Sequence, residues 1–258
     1  MDQLIFGIHA VKSALNYCPD VKDSDTESSA EQRPVSQLFV DRTRKDKRII
    51  ALVELAKKKA VKVTIVQRKK LDEMTNANHQ GVVAQSQAPR VKSESFLDEL
   101  LESLTEDAFL LVLDGVQDPH NLGACLRTAD AAGVHAIIVP KDRSVSLTPT
   151  VRKVACGADQ NVPLIQVTNL ARTLKLLKSY QIWVVGTTDA TTSSIYECAL
   201  SGPLALVMGT EGKGMRRLTQ ENCDTLVKIP MLGHVESLNV SVATGISLFE
   251  ALRQRNIS

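Results

Sequence analysis

Phe109-Leu-Leu-Val-Leu113, followed by Asp118-Pro-His-Asn-Leu-Gly-Ala-Cys-Leu-Arg-Thr-Ala-Asp-Ala-Ala-Gly133, decides the fold. The first run reads as a strand and the second as a turn leading into a helix. The turn places Asn121 and Gly123 at the carboxyl end of a parallel strand, where open α/β sheets bind ligands, and Arg127 about one turn into the helix. Outward from it the alternation continues. Strands are expected near 134–139, 182–186, 204–208 and 225–229, with helices near 150–157, 169–179 and 239–254. That pattern predicts an α/β domain with a parallel sheet and its ligand loops at one edge.

Two further segments point to that edge. Leu204-Ala-Leu-Val-Met-Gly-Thr-Glu-Gly-Lys-Gly-Met215 is a strand that breaks into glycines. Gly209, Gly212 and Gly214 let the backbone fold tightly around a ligand, with Glu211 held among them. The spacing is not that of a dinucleotide fold, and Lys213 is followed by Gly214 rather than the Ser or Thr of a phosphate loop. In Ser237-Leu-Asn-Val-Ser-Val-Ala-Thr-Gly-Ile-Ser-Leu-Phe-Glu250, Asn239 stands where a helix N-cap belongs, so its side chain and the free amides after it can meet a loop or ligand. Val242, Ile246 and Phe249 recur at helical spacing as the face of a helix packed on a core. Ser241, Ala243, Thr244, Gly245 and Ser247 leave the other faces thin enough for close backbone approach.

The amino-terminal part has strand patterns at 37–40, 61–66 and 81–84, with helices near 8–17 and 45–59. A polar, proline-punctuated stretch follows. The expected division is a domain over 1–85, a linker over 86–107 that includes a short acidic helix from Phe96 to Leu104, and a domain over 108–258. Residues 1–90 hold 16 Lys and Arg against 11 Asp and Glu, whereas residues 91–258 hold 15 against 18. A basic module beside a near-neutral one suits a protein in which one part holds phosphates and the other does chemistry. Aromatic residues make up 3% of the chain, so recognition through RNA shape and backbone is expected rather than extensive base stacking. The basic run at Lys57, Lys58 and Lys59 fits a solvated helix face at least as well as an RNA contact. Residues 20–34 are polar enough to predict a mobile loop.

Across 258 residues, 43% of them hydrophobic, there is no run of about 18 apolar residues, and the start lacks a basic region leading into a long apolar stretch. A soluble, cytoplasmic protein is expected, with no membrane partner. Five widely spaced cysteines without a Cys-x-x-Cys predict reduced, mostly buried thiols and no metal site.

The three motifs in this order, Asn121 to Arg127, Gly209-x-Glu211-Gly-x-Gly, and Ser237-Leu-Asn239-x-Ser241, resemble those of the SpoU/TrmH class of RNA ribose 2′-O-methyltransferases. The resemblance covers nearly the whole chain. Gly7-Ile-His-Ala-Val, His79-Gln-Gly-Val-Val-Ala84 and the run from Val134 to Arg143 look like the branch that modifies 23S rRNA. It implies a carboxy-terminal sheet tied in a deep trefoil knot by the last helix, a small amino-terminal fold similar to ribosomal protein L30e, and a homodimer. It also implies S-adenosylmethionine as methyl donor and a guanosine in the peptidyl-tRNA-binding loop of 23S rRNA as substrate. The same reaction on tRNA, and a non-catalytic rRNA-binding assembly factor, are the competing readings. By match to the motifs, Gly209, Ile229 and Leu238 hold the donor, with Met208 and Met231 as candidate apolar walls, and Asn121, Arg127, Glu211, Ser237 and Asn239 form the catalytic cluster. Arg127 is expected to bind the phosphate beside the target ribose, Asn121 to orient the nucleotide, and Glu211 to hold Arg127 or a loop amide. The guanidinium stays charged at any ordinary pH, which argues against Arg127 as a simple proton acceptor.

Overall fold

The computed structural model describes residues 2–16, 18, 35–76, 78–87, 91–210, 212, 214–235 and 237–255. Residues 20–34 and Glu211 lie outside that set, so neither the loop expected at 20–34 nor the part given to Glu211 meets a structure. The chain divides into two units after Pro89.

The first unit is a mixed four-stranded sheet in the order β1-β4-β2-β3, built from β1 (Asp2–Phe6), β2 (Val35–Asp41), β3 (Lys62–Val66) and β4 (Val82–Gln87). β2 and β3 run parallel, while β4 is antiparallel to both β1 and β2. α1 (Ile8–Asn16) and α2 (Lys47–Lys58) bury Val11, Leu15, Ile49, Leu52 and Ala56 against Leu38, Val82 and Ala84 of the strands. β1 and α3 (Arg68–Met74) are additions to the expected elements, and the basic run Arg68 to Lys70 opens α3. His79 is structural. Its Nδ1 accepts from Gly81 N at 3.0 Å, which leaves the proton on Nε2 to meet Asp72 at 2.8 Å.

The second unit begins inside the expected linker. Lys92 pairs with the edge of β7 (Leu164–Val167), and α4 (Ser95–Ser103) buries Leu97 and Leu101 in the core. Residues 91–107 therefore belong to this unit: the acidic residues of α4 mark its outer face, and its leucines carry the packing. The sheet is all parallel in the order β10-β8-β9-β5-β6-β7, with β5 (Phe109–Leu113), β6 (Ala136–Pro140), β8 (Trp183–Thr187), β9 (Leu204–Met208) and β10 (Thr225–Val227). β7 is the strand missing from the expected set.

Helices cover both faces. Phe109, Leu111 and Leu113 point to one core together with Leu204, Leu206 and Met208, while Leu110, Val112, Ala205 and Val207 point to the other. This two-sided burial explains the unbroken apolar runs. α5 (Pro119–Ala131), α6 (Pro149–Ala155) and α9 (Val240–Arg255) cover the first face, and α4 and α7 (Leu170–Ser179) the second; the short α8 (Arg217–Glu221) follows the glycine turn. Among the described residues no helix is long and apolar enough to cross a membrane.

α9 departs from expectation in which face it buries. Val240, Thr244, Ser247, Leu248 and Ala251 face the core, whereas Val242 and Phe249 are 51% and 48% exposed and Ile246 is half-buried. Ser247 can enter the core because its Oγ donates to Ala243 O at 2.9 Å, so its hydroxyl is satisfied within its own helix. Gly245 faces Thr128 at an ordinary distance, a Cβ there lying 3.7 Å from Thr128 Cγ2. The close helix contact lies instead at Gly123, where a Cβ would stand 2.6 Å from Val154 Cβ and 2.8 Å from Val151 O.

The far end of α9 is fastened to the bottom of the sheet. Arg255 donates to Gly202 O and, at 2.8 Å, to Asp107 O, and its guanidinium lies 4.9 Å from the centre of the Phe109 ring. Gln254 accepts from Leu200 N at 2.8 Å and donates to Cys198 O at 3.1 Å. Glu250 accepts from Arg253 at 2.9 and 2.8 Å and from Gln254 at 2.8 Å, and these bonds, Arg253 foremost, hold its carboxyl at about 2 against an ordinary 4.5. A carboxyl lowered in this way stabilises the fold fully above the unfolded value and loses that contribution as pH falls. The melting-temperature gap between wild type and Glu250→Gln is expected to be widest above pH 4.5 and to close toward pH 2.

Candidate active site

β9 delivers the glycine turn to the carboxyl edge of the sheet. At Gly209 only a hydrogen fits: a Cβ would stand 2.2 Å from Gly214 C, 2.3 Å from Met215 N and 2.7 Å from Gly214 O. Thr210 and Gly214 close the turn through Thr210 N to Gly214 O at 3.1 Å and Gly214 N to Thr210 O at 2.9 Å. Gly212 and Gly214 adopt φ of 74° and 62°, the left-handed region that glycine enters without strain. The turn is then strapped to the neighbouring strand. Arg216 donates from N at 2.9 Å and from Nε at 2.7 Å to Asp114, whose side chain is 0% exposed and which directly follows β5. Asp114 N in turn donates to Met208 O at 2.8 Å.

β5 and β9 are neighbours whose chains leave in opposite directions, β5 toward β6 and β9 toward β10. Such a switch point opens a crevice at the strand ends. On the β9 side of it a cleft of about 300 Å³ lies between the ends of β8, β9 and β10 and the start of α9. Met208, Ile229, Met231, Leu238 and Ala243 form apolar walls; Thr188, Asp189, Gln220, Lys228 and Ser237 supply polar groups, and Gly209 and Gly214 offer bare backbone. The volume is at the lower end for small-molecule sites.

Beside the cleft, two helices start together. Asp118 caps α5, accepting from His120 N at 3.1 Å, with Pro119 in the first turn. Asn239 caps α9, its Oδ1 accepting from Ser241 N at 2.9 Å and Ser241 Oγ at 2.6 Å. Its Nδ2 donates to Asn121 Oδ1 at 3.0 Å. Further along, Cys125 Sγ meets Thr244 Oγ1 at 3.7 Å, and Thr128 lies against Gly245. Contacts that advance together along both chains mean that α5 and α9 run parallel, with both positive helix ends at the same edge.

The expected site residues thus fall into three groups. Gly209, Ile229, Leu238 and Ser237 line the cleft, with Met208 and Met231. Asn121 and Asn239 are bonded to each other at its border. Arg127 stands apart: it is exposed, and NH1 points to Cys156 Sγ at 3.8 Å. Glu211 lies outside the described residues. Sequence reasoning missed Asp114, Arg216, Asp189 and Lys228, which no local pattern marks.

The thiols differ from expectation. Cys18 and Cys125 are buried, but Cys156 is exposed and the other two are half-buried. Burial pushes Cys125 up to about 11, and burial with the nearby Asp224 charge pushes Cys223 to about 12, so neither is a thiolate at neutral pH. The site offers amides, hydroxyls, backbone groups, helix ends and the charges of Asp189 and Lys228. Such a set positions reactants and stabilises charge.

Comparison with known proteins agrees with this geometry. The family described as "SpoU rRNA Methylase family" matches residues 108–249, and "RNA 2'-O ribose methyltransferase substrate binding" matches residues 4–91. A Photorhabdus laumondii protein named 23S rRNA (guanosine-2′-O-)-methyltransferase RlmB is 52% identical over 99% of this chain and 100% of its own. The Escherichia coli K12 protein of the same name is 51% identical over the same shares. A crystal structure titled RNA 2′-O ribose methyltransferase superposes with a TM-score of 0.71 at 27% identity, covering 98% of this chain and 88% of that one.

Proposed function

The chain belongs to the SpoU rRNA methylase family, and from that premise we propose that it transfers a methyl group from S-adenosylmethionine to the ribose 2′-hydroxyl of a guanosine in 23S rRNA, in the cytoplasm. One observation carries the reading. Asn239 caps the helix whose first residues line the cleft and at the same time holds Asn121 at the start of α5, so a donor-sized cleft and an anion-attracting pair of helix ends meet at one residue.

The residues fit the donor chemically: apolar walls suit an adenine, and Asp189 and Lys228 suit an amino-acid end that carries both charges. When bound, S-adenosylmethionine supplies a methyl group activated by a sulfonium. Backbone at Gly209, Ile229 and Leu238 holds it, and Met208 closes the floor. The two helix ends favour the phosphate beside the target ribose. Arg127, about two turns into α5 and turned toward Cys156, would swing to that phosphate and stabilise the alkoxide as the hydroxyl proton leaves to water, while Asn121 and Ser237 orient the nucleotide. Glu211 steadies Arg127 or the loop, by its place in the motif. The knotted topology and the L30e-like character of the first unit belong to the same reading. The return of α9 beside α5, with its end tied to Asp107 and Gly202, supports the first of these.

The test is to incubate the purified protein with labelled S-adenosylmethionine and, separately, unmethylated 23S rRNA, 16S rRNA and bulk tRNA. Label in 23S rRNA is expected. Label confined to tRNA would move the enzyme to the sister class, and no label in any RNA would favour a non-catalytic assembly factor.

The homodimer is part of the proposal. Val242, Ile246 and Phe249 form an apolar stripe along α9 that the unit leaves uncovered, and a self-complementary helix face of this kind is closed by a second copy. Val242→Glu with Phe249→Glu is expected to convert a dimer into a monomer in light scattering, without loss of helical signal.

A further inference from the structure

A groove of about 340 Å³ opens between α1 and α2 of the first unit. Ile8, Ala51, Leu52 and Leu55 form an apolar floor, and His9, Lys12, Lys47 and Arg48 stand on the rim, all four exposed. Among the described residues no acidic residue lines it. Among the described residues the ion pairs of the unit lie elsewhere, at Arg44 with Asp46, Lys70 with Glu73 and His79 with Asp72.

Lys47 and Arg48 occupy the first turn of α2, which contains no acidic residue. Cations there oppose the helix dipole, which a bound anion would offset. The Asp46 carboxylate caps this helix start, accepting from Ile49 N and from the Arg48 backbone, and its ion pair is with Arg44 at 2.7 Å, so among the described residues no carboxylate pairs with the side chains of Lys47 and Arg48. Lys57 and Lys58, at the other end of α2, do not reach the groove and remain an ordinary solvated face. Convergence from two helices onto an apolar floor separates Lys12, Lys47 and Arg48 from that background.

We propose that this groove seats a single-stranded segment of the substrate RNA, its phosphates on Lys12, Lys47 and Arg48 and one nucleoside lying on Ile8, Ala51 and Leu55. The inference rests on the RNA-methyltransfer reading above. Single-stranded RNA matches both features: its regularly spaced phosphates suit the cationic rim, and an unstacked base or ribose suits an aliphatic floor that has no aromatic platform.

The test uses the full chain and a fluorescein-labelled fragment of unmethylated 23S rRNA that carries the peptidyl-tRNA-binding loop, followed by anisotropy across salt concentrations. Lys12→Gln/Lys47→Gln/Arg48→Gln is expected to flatten the slope of log affinity against log salt by about 2, roughly 0.7 per single-strand phosphate, and to weaken binding roughly 50-fold near 0.15 M salt. Ala51→Trp fills the groove without changing charge. It is expected to weaken binding about tenfold, the effect of losing roughly 55 Å² of apolar burial, with the slope unchanged. Cooperative melting and calorimetric binding of S-adenosylmethionine verify that both variants are folded.

If wild type labels 23S rRNA and both variants bind the fragment as wild type does, the groove assignment falls and the methyltransfer reading stands. Loss in the charge variant alone would reduce the surface to a diffuse basic patch and overturn the seat. If wild type labels no RNA, the reading and the inference fall together.

Discussion

Gly209→Ala is expected to abolish measurable binding of S-adenosylmethionine while leaving the protein folded. The added methyl would lie 2.2 to 2.7 Å from three backbone atoms of Gly214 and Met215. Those atoms cannot swing aside as the end of a flexible side chain could. The turn has to open, and with it the paired Thr210 and Gly214 bonds that bring both glycines to the cleft wall. With both wall glycines displaced, calorimetric titration should detect no binding of S-adenosylmethionine. Because the strain reaches Met215, which packs in the core, the melting temperature should fall too, and a cooperative thermal transition verifies that the variant is folded. Near-normal donor affinity in Gly209→Ala would show that the cleft is not the donor site.

Arg127→Lys is the second large effect, and its signature is a split between binding and turnover. Lysine keeps the charge but loses the planar fork that meets a phosphate through two hydrogen bonds. Arg127 does not line the donor cleft, so calorimetric affinity for S-adenosylmethionine should remain within about twofold. Loss of one preorganised donor to a developing oxyanion costs about 100- to 1,000-fold. The rate of methyl transfer under saturating donor and RNA should drop by that order. A lysine variant with near-normal turnover would remove the guanidinium from the chemistry, and a matched loss of donor affinity would assign Arg127 to cofactor binding.

The parallel sheet was legible because its strands are buried on both sides: Phe109–Leu113 and Leu204–Met208 carry no polar residue that could confuse the period. The glycine turn and the cap at Asn239 were legible for a related reason, since glycine and asparagine act through the local backbone and leave a local mark. The orientation of α9 was not. Periodicity finds an apolar stripe at Val242, Ile246 and Phe249 but does not say what covers it, and the core-facing side reads as polar because Thr244 and Ser247 are counted as hydroxyl residues. In the fold the Ser247 hydroxyl is satisfied on its own helix and Thr244 is paired with Cys125, so both pack as small residues.

Asp114 and Arg216 escaped notice because they are 102 residues apart, and no short-range pattern couples a carboxylate after one strand to an arginine beyond the turn of another. β7 has four residues, too few for a period, and its place is fixed by pairing with β6 and Lys92. The unit boundary was displaced because acidic residues on the outer face of α4 gave it the composition of a linker, whereas Leu97 and Leu101 place it in the core.

The central claim is that this chain methylates a ribose hydroxyl on one guanosine of 23S rRNA, and nucleoside analysis of the reacted RNA tests it most directly. The rRNA would be incubated with the protein and S-adenosylmethionine, mapped by primer extension at limiting nucleotide, and digested for mass spectrometry. A single new stop in the peptidyl-tRNA-binding loop and one equivalent of 2′-O-methylguanosine, both absent with Arg127→Lys, is the expected result. A methyl group on a base, or on the ribose of a different nucleoside, would contradict it.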